Sequence, residues 1–361
     1  MNKQTLALLK GFVPQISINE VGLFKGKIGV CVALYVISKE TRDMELEKQA
    51  DALLAECLSK IQYVKDLSID KGLTGIGLAL MFLIANNYAE GDIDDVLEDI
   101  DAYLYKNLKN DSIKYGMSCT SGLVGFLMYL VERLSLGQDR SAIPYQLNAA
   151  LLRLVVDKLE EQLPKQLDNC TKDVYTSAIN NIPILFIYFK KALDLGLYNN
   201  KILVCIRLWS SYIVTHMPYY GINRLYLAVA LAYMNGTVQN QLIEKYVRQL
   251  LSTIDVDNLC KETSAEIMNI NEGLFFVEIL LLAAERLFLG TDFQKRCHRV
   301  RIGIQQSHNE RYKDFITCRT LKDADLSLVN GFIGVECINA IYPYVFNFNK
   351  NYSYISQENE H

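Results

Sequence analysis

The chain has 361 residues, of which 50% are hydrophobic and 22% charged, and its formal net charge is −4. This composition is typical of a globular protein with a large core and excludes a disordered chain. The sequence has no basic stripe or Lys/Arg block, so we expect no nucleic-acid partner. The longest apolar runs, Ile76–Ala85 and Leu274–Leu289, are too short or too charged for a membrane helix, which needs about 20 apolar residues.

Nine cysteines are scattered along the chain without a C-x-x-C pair. Cys31, Cys205 and Cys337 lie within apolar runs, where a reduced thiol behaves as a small hydrophobe. This usage indicates a reducing compartment. The first 15 residues are too interrupted for a signal peptide. We therefore predict a cytoplasmic protein, and we expect a monomer.

In chain order, two kinds of helix alternate. Helices of the first kind are amphipathic, with one apolar and one solvent-exposed face. They are Met1–Val13, Met44–Val64 and Ile143–Leu163. Helices of the second kind are apolar nearly all round and must be covered on every side. They are Gly29–Ile37, Ile76–Ala85, Leu123–Val131, Pro183–Phe189, Leu225–Met234, Leu274–Leu289 and Phe332–Tyr344.

The entries to the apolar helices repeat a G-x-x-G motif. Four copies keep both glycines: Gly26–Val30, Gly72–Ile76, Gly122–Phe126 and Gly331–Val335. Three copies are degenerate: Asn180–Ile184, Gly221–Leu225 and Gly273–Val277. Successive copies lie roughly 40 to 60 residues apart, a period that indicates a helical-hairpin repeat.

The asymmetry between the two kinds of helix decides how the hairpins stack. In an open solenoid, both helices of each pair touch their neighbours in similar ways. Here one helix of each pair is buried on all sides, and its partner exposes one face to solvent. This difference favours two concentric rings. We predict an all-α fold, an α/α toroid of seven hairpins with seven inner and seven outer helices. Residues 1–346 would form this single domain, and residues 347–361 a polar tail.

The glycine motifs resemble those of the lanthionine synthetase C-like family. The most specific pieces are Gly22–Gly29 (GLFKGKIG), Gly72–Gly77 (GLTGIG) and Asp325–Val335 (DLSLVNGFIGV). The resemblance implies an α/α toroid of fourteen helices. It also implies zinc at the toroid mouth and the addition of a peptide cysteine thiolate to a dehydrated serine or threonine. Zinc would serve this chemistry by deprotonating the thiol.

The family's zinc motifs are altered in this chain. Pro218–Arg224 matches W-C-Y-G-x-P-G, with Tyr219 in place of the ligand cysteine. Asn271 and Glu272 replace the two ligands of the C-H-G motif, and the acid/base histidine would fall near Asn180. Asn and Tyr are poor zinc ligands, so we expect no metal and no cofactor here.

Polar residues before each apolar helix would line the mouth. The zinc-site positions and their neighbours form the main candidate for peptide or ligand binding: Tyr219, Tyr220, Arg224, Asn271 and Glu272. The rival interpretation is a structural Arg224–Glu272 ion pair. For Asn19, Asp70, Ser118 and Asp325, helix capping is the main interpretation, although Asp325 is kept as a ligand candidate.

Cys119 is the thiol predicted at the mouth. A helix N-terminus would lower its pKa and make it reactive; a buried packing thiol is the alternative. A relocated metal site from Cys119, His216 and Cys318 lacks ligand spacing. The Cys297-His298 pair fits a solvated helix face.

The resemblance and the altered motifs together predict a lanthionine synthetase C-like protein of lanthipeptide-type modification, with zinc-dependent thioether cyclisation lost. It would bind a peptide or a partner modifying enzyme at the mouth. One alternative is an active toroid enzyme, such as a carbohydrate-active hydrolase, with a carboxylate pair. The other is a plain interaction scaffold. The carboxylates available for such a pair are Glu20, Asp70, Asp173, Glu272 and Asp325.

Overall fold

The computed structural model describes residues 3–12, 18–110, 114–137, 139–170, 180–263, 270–271 and 273–317, together with residues 328, 334 and 337. These residues form α-helices, short 3₁₀ helices and loops, and they contain no strand. The chain divides into two compact units. Unit 1 comprises Met1–Gln162 and Ala324–Pro343, and unit 2 comprises Leu163–Asp323 and Tyr344–His361.

Unit 1 is built from hairpins of one apolar and one amphipathic helix. Helix α2 packs against α3 and α4, and α4 packs against α5 and α6. A short 3₁₀ helix, Ile61–Tyr63, follows α3. The helices that begin in this unit are α1 (Lys3–Phe12), α2 (Lys27–Thr41), α3 (Met44–Lys60), α4 (Leu73–Ala85), α5 (Ile93–Leu108), α6 (Leu123–Leu136) and α7 (Ile143–Cys170).

Unit 2 is centred on α10, which packs against α8, α11 and α12, while α12 packs against α13. The 3₁₀ helix Val256–Lys261 contacts α10, α12 and α13. None of the described helices combines the length and the apolar character needed to cross a bilayer. The helices of this unit are α8 (Asn181–Asp194), α9 (Asn199–Ile213), α10 (Gly221–Val238), α11 (Gln241–Ser252), α12 (Leu274–Leu287) and α13 (Asp292–Thr317).

The two predicted kinds of helix are present, and several of them also begin differently. Amphipathic α3, α5 and α11 begin at Asp43, Asp92 and Asn240, whose side chains accept backbone N–H bonds. Apolar α2, α4, α6 and α12 follow a glycine and have no side-chain cap. Helices α2 and α4 start two and three residues earlier than their hydrophobic runs predict, whereas α6 and α12 start at the predicted residue. The last predicted helix, Phe332–Tyr344, lies outside the described residues, except that residues 334 and 337 are helical.

A buried polar cluster joins three helices of unit 1. The Asp101 carboxylate accepts hydrogen bonds from Tyr129 Oη at 2.6 Å, Arg133 Nε at 3.1 Å and Asn148 Nδ2 at 2.7 Å. Arg133 also donates to Asp94 at 2.5 Å. Asp101, Tyr129, Arg133 and Asn148 are all buried. The cluster therefore satisfies a buried ion pair with the additional hydrogen bonds that such a pair requires.

Candidate functional site

The turn before an apolar helix, which we call a corner, has the same geometry in successive copies. The first helical N–H donates to the carbonyl seven residues earlier: Lys27 to Glu20 at 2.9 Å, and Leu73 to Asp66 at 2.8 Å. Leu123 donates to Gly116 in the same way, at 2.9 Å. Backbone carbonyls of the corner thus satisfy helix N–H groups that a capping side chain satisfies elsewhere.

The second glycine of each intact motif leaves room for another carbonyl. A Cβ at Gly29 would lie 1.9 Å from Leu23 O, and one at Gly75 would lie 1.9 Å from Ile69 O. At Gly125 the corresponding distance, to Cys119 O, is 2.6 Å. The same carbonyl, six residues earlier, also meets Gly334. No side chain fits at this position. The second glycine of G-x-x-G is therefore required by the close approach of this backbone carbonyl to the helix.

Four corners of unit 1 lie side by side. Phe24 N donates to Asp70 O at 3.2 Å, and Ile69 N donates to Thr120 O at 2.6 Å. Leu328, in the corner of the last motif, lies against Gly29. Within unit 1, these glycine corners therefore gather at one end of their helices.

The capping prediction is wrong for two of its four residues and altered for a third. Helix α2 begins after Gly26 and α4 after Gly72, so neither Asn19 nor Asp70 caps the helix that follows it. The Asp70 Oδ1 atom is buried and has no hydrogen-bond partner in the described part of the chain. Ser118 Oγ accepts from Thr120 N and Ser121 N, which closes the turn ahead of α6. Asp325 lies outside the described residues.

The degenerate corner at Pro218–Arg224 is rebuilt by side chains. Arg224 stands where the intact copies have their second glycine, and its Nε donates to Pro218 O, six residues earlier, at 2.7 Å. Its other guanidinium nitrogens donate to Thr253 O and Tyr219 O, each at 3.0 Å. Arg224 is thus bonded to three backbone carbonyls.

Glu262 completes this corner, and sequence reasoning missed it. Its Oε2 accepts from Ile222 N at 2.8 Å, so a side-chain carboxylate replaces the backbone carbonyl of the intact corners. Its Oε1 lies near the position that a Cβ on Gly221 would take. Glu262 follows a 3₁₀ helix, far along the chain from the motif. The one signal for Glu262 would have been that this corner lacks the backbone carbonyl that accepts the helix N–H in the intact corners.

The two candidate tyrosines are brought together. Tyr219 and Tyr220 form an edge-to-face pair with ring centroids 5.0 Å apart, and Tyr219 is 76% exposed. Asn271 is buried in the turn before α12. Glu272 lies outside the described residues, so its suggested pair with Arg224 stays a prediction.

The Cys119 thiol is not exposed and activated, as a reactive cysteine would be. It is 3% exposed, and burial raises its pKa to about 12 instead of lowering it. Its carbonyl lies against Gly125, so the side chain belongs to the packed part of the corner. These observations favour the interpretation of Cys119 as a packing thiol.

The remaining sequence candidates occupy different surroundings. His216 Nδ1 lies 3.0 Å from Tyr212 O, while Cys318 lies outside the described residues. Cys297 is fully buried, which corrects the expectation of a solvated face for that pair. Its neighbour His298 is exposed and lies 3.0 Å from Glu285.

Two of the five carboxylates proposed for a hydrolase pair are described. Glu20 forms an exposed ion pair with Lys71 at 3.3 Å. Asp70 is the residue that precedes Lys71 in the sequence. Asp173, like Glu272 and Asp325, lies outside the described residues.

Two of the positions that the resemblance assigns to zinc ligands are described, and their side chains do not fit zinc. Tyr219 offers an exposed phenol and Asn271 a buried amide, whereas structural and catalytic zinc sites use Cys, His and carboxylate ligands. In the described part of the chain, no three His, Cys, Asp or Glu side chains converge as metal ligands would. We therefore derive no step through a zinc ion.

The comparisons with known proteins agree with this geometry. Residues 3–151 match the family model described as lanthionine synthetase C-like protein. The matched residues span less than half of the chain. A solved structure of a nisin cyclase shares the fold, with a TM-score of 0.69 and 14% identity over 96% of each chain. This likeness confirms the predicted fold class, an all-α toroid. No curated protein matches the chain.

Proposed function

We propose that this lanthionine synthetase C-like protein serves a lanthipeptide-type modification system by binding, with zinc-dependent thioether cyclisation lost. Its ligand would be a precursor peptide or a partner modifying enzyme, held at the corner Pro218–Arg224. The observation that carries the proposal is the rebuilt corner, in which side chains of Arg224 and Glu262 replace backbone contacts.

The chemistry of this corner supports binding more than catalysis. Arg224 is committed to three backbone carbonyls, and Glu262 to a helix N–H group. Both charged groups therefore hold the loop in place. The edge-to-face pair of exposed Tyr219 and half-buried Tyr220 lies on the surface of this loop. Such a pair offers rigid aromatic area and hydroxyl groups to a peptide at low entropic cost.

Metal content tests the first half of the proposal. The protein would be purified without chelator, dialysed against metal-free buffer and analysed for zinc per chain by mass spectrometry. We expect zinc far below one equivalent. One tightly held zinc per chain would contradict the loss of the metal site.

Peptide binding tests the second half. The probe is a fluorescein-labelled synthetic peptide that carries one cysteine and one dehydroalanine. We expect saturable binding by fluorescence anisotropy. After incubation, the peptide's cysteine should still react with an alkylating reagent, because no thioether forms. Tyr219→Ala should weaken binding by about tenfold, the loss expected for an aromatic anchor.

Tyr63→Ala is the matched control, because Tyr63 is 75% exposed and lies in unit 1. It should leave binding unchanged. Equal affinities of the Tyr219→Ala and Tyr63→Ala variants would rule out the tyrosine pair as the binding surface. Loss of the free thiol that is faster than in a protein-free control would show that cyclase activity persists.

A further inference from the structure

Helix α9 carries an apolar strip on its solvent side. Val204, Leu208 and Tyr212 follow one another at four-residue intervals and are 40%, 40% and 45% exposed. Four-residue spacing places them on one face, along about 12 Å of helix. The adjacent face, rotated by about 100° and carrying Cys205, Trp209 and Ile213, is buried. Single exposed apolar residues are ordinary, but an aligned row of three is not.

The strip is specific to α9 within the described residues. Helix α5 exposes only Val96 among its large apolar side chains, and α11 only Leu242. Helix α3 exposes Met44 and Leu58 at its two ends, too far apart to form one contact. The strip also needs its own explanation because the core of unit 2 already uses the other face of α9.

The two charged residues of α9, Lys201 and Arg207, are both cationic. The sequence contains no Asp or Glu between Asp194 and Glu244, although the whole chain is acidic. Arg207 is exposed beside Leu208, and Lys201 lies one turn before Val204. A partner that matches this surface would present apolar residues flanked by carboxylates.

We propose that the exposed face of α9 is a docking surface for an acidic amphipathic helix of a partner protein. A helix with apolar anchors spaced by one turn would lie along Val204, Leu208 and Tyr212 and place its carboxylates near Arg207. The strip is narrow and α9 carries only two cationic residues, whereas helices that bind membrane surfaces are rich in Lys and Arg. This inference goes beyond the proposed function, since none of these residues belongs to the rebuilt corner.

The test uses the full chain and a fluorescein-labelled peptide of about 18 residues, long enough to form a helix. The peptide has Leu at helical spacing on one face and Glu on the other. We expect saturable binding that weakens with salt. Trp209, the chain's one tryptophan, lies on α9, so its fluorescence should report the same titration.

Two variants and two matched controls decide the outcome. Leu208→Ser and Arg207→Glu should each weaken binding by about fivefold or more, the effect of a lost anchor or a reversed charge. Leu58→Ser and Lys48→Glu on α3 should have no effect, as Leu58 is 44% exposed and Lys48 is exposed. Tyr219→Ala should also leave this peptide's affinity unchanged, which separates the strip from the rebuilt corner.

The proposal is overturned if Leu208→Ser and Leu58→Ser bind the acidic peptide equally. It is also overturned if a version with Lys in place of Glu binds as tightly. Stronger binding to phosphatidylserine vesicles than to the peptide, lost in the same two variants, would assign the strip to a membrane surface instead.

Discussion

Arg224 Nε donates to Pro218 O at 2.7 Å, and this carbonyl is the counterpart of those that lie against Gly29, Gly75 and Gly125. In the intact copies, the absence of a Cβ lets the carbonyl approach the helix. In the degenerate copy, a long cationic side chain reaches the carbonyl from a distance. One structural requirement is therefore met in two ways within a single chain.

Replacing Arg224 by Ala should destabilise the protein by about 1 to 2 kcal/mol, because three backbone carbonyls lose a charged donor. Arg224→Lys should recover only part of this loss, since an ammonium group cannot reproduce the guanidinium fork. Urea unfolding measures both values. Arg248→Ala on α11, which removes an exposed pair with Glu244, should change stability by under about 0.5 kcal/mol.

Glu262→Ala should also destabilise, by about 1 kcal/mol, because Ile222 N loses its acceptor. Glu262→Gln keeps an acceptor oxygen and should cost less. A double-mutant cycle with Arg224→Ala would show whether the two side chains stabilise one corner together. Strict additivity would contradict a jointly built corner.

Gly75→Ala and Gly303→Ala should act in opposite directions. The new Cβ at residue 75 would lie 1.9 Å from Ile69 O, so the backbone must move, and we expect a loss of about 3 kcal/mol or more. At residue 303, in α13, no atom lies within 4 Å, so alanine should stabilise the helix by about 1 kcal/mol. Thermal unfolding compares them, and a mild effect at residue 75 would refute the close-approach explanation of the motif.

Asp101→Ala should be among the most damaging single changes in unit 1. It leaves the buried Arg133 guanidinium without one of its two carboxylates, which costs about 3 to 5 kcal/mol. Asn148→Ala removes one hydrogen bond to Asp101 and should cost about 1 to 2 kcal/mol. Asp99→Ala, an exposed change on the same helix, serves as the control and should be nearly neutral.

Alkaline pH should destabilise the fold. Burial raises the pKa of Cys119, Cys297 and Cys337 to about 12, from a usual value of 9.0. The unfolded chain therefore releases these protons above pH 9, while the folded chain keeps them until about pH 12. Stability should be complete below pH 9 and fall as the pH rises through this window.

Urea unfolding at several pH values between 8 and 11 measures this effect. Cys119→Ala should reduce the slope by up to about 1.4 kcal/mol per pH unit, the contribution of one proton. An unchanged slope would indicate that the Cys119 thiol titrates normally in the folded protein. Rapid alkylation of Cys119 at pH 8 in the native protein would lead to the same conclusion.

The helices and their two kinds were predictable because burial imposes hydrophobic periodicity. Met44–Lys60 and Leu274–Leu287 differ from the predicted ranges only at their C-terminal ends. The repeat was likewise visible from its glycines. These features depend on residues close together in the sequence, where pattern and structure correspond directly.

Contacts between distant residues were not predictable in the same way. An aspartate before a helix is an ordinary capping signal, and at Asp43 and Asp92 it acts as one. Asp70 does not, because backbone carbonyls of its corner already hold the helix N–H groups. The hydrogen bond from Ile222 N to Glu262 joins residues forty positions apart, and no local sequence pattern predicts it.

The fixed offsets of the corners restrict where the chain can lengthen. In the four intact copies the close carbonyl lies six residues before the second glycine. In the three copies whose helix start is described, the accepting carbonyl lies seven residues before the first helical residue. One inserted residue there would shift both contacts and break the bonds to the adjacent corner. In the segment Asn86–Asp92, which leaves α4, the backbone-to-backbone hydrogen bonds stay local to α4, α5 and the turn between them. Length variation among related chains should therefore concentrate at the opposite ends of the helices, and tags or inserted domains should be accommodated there.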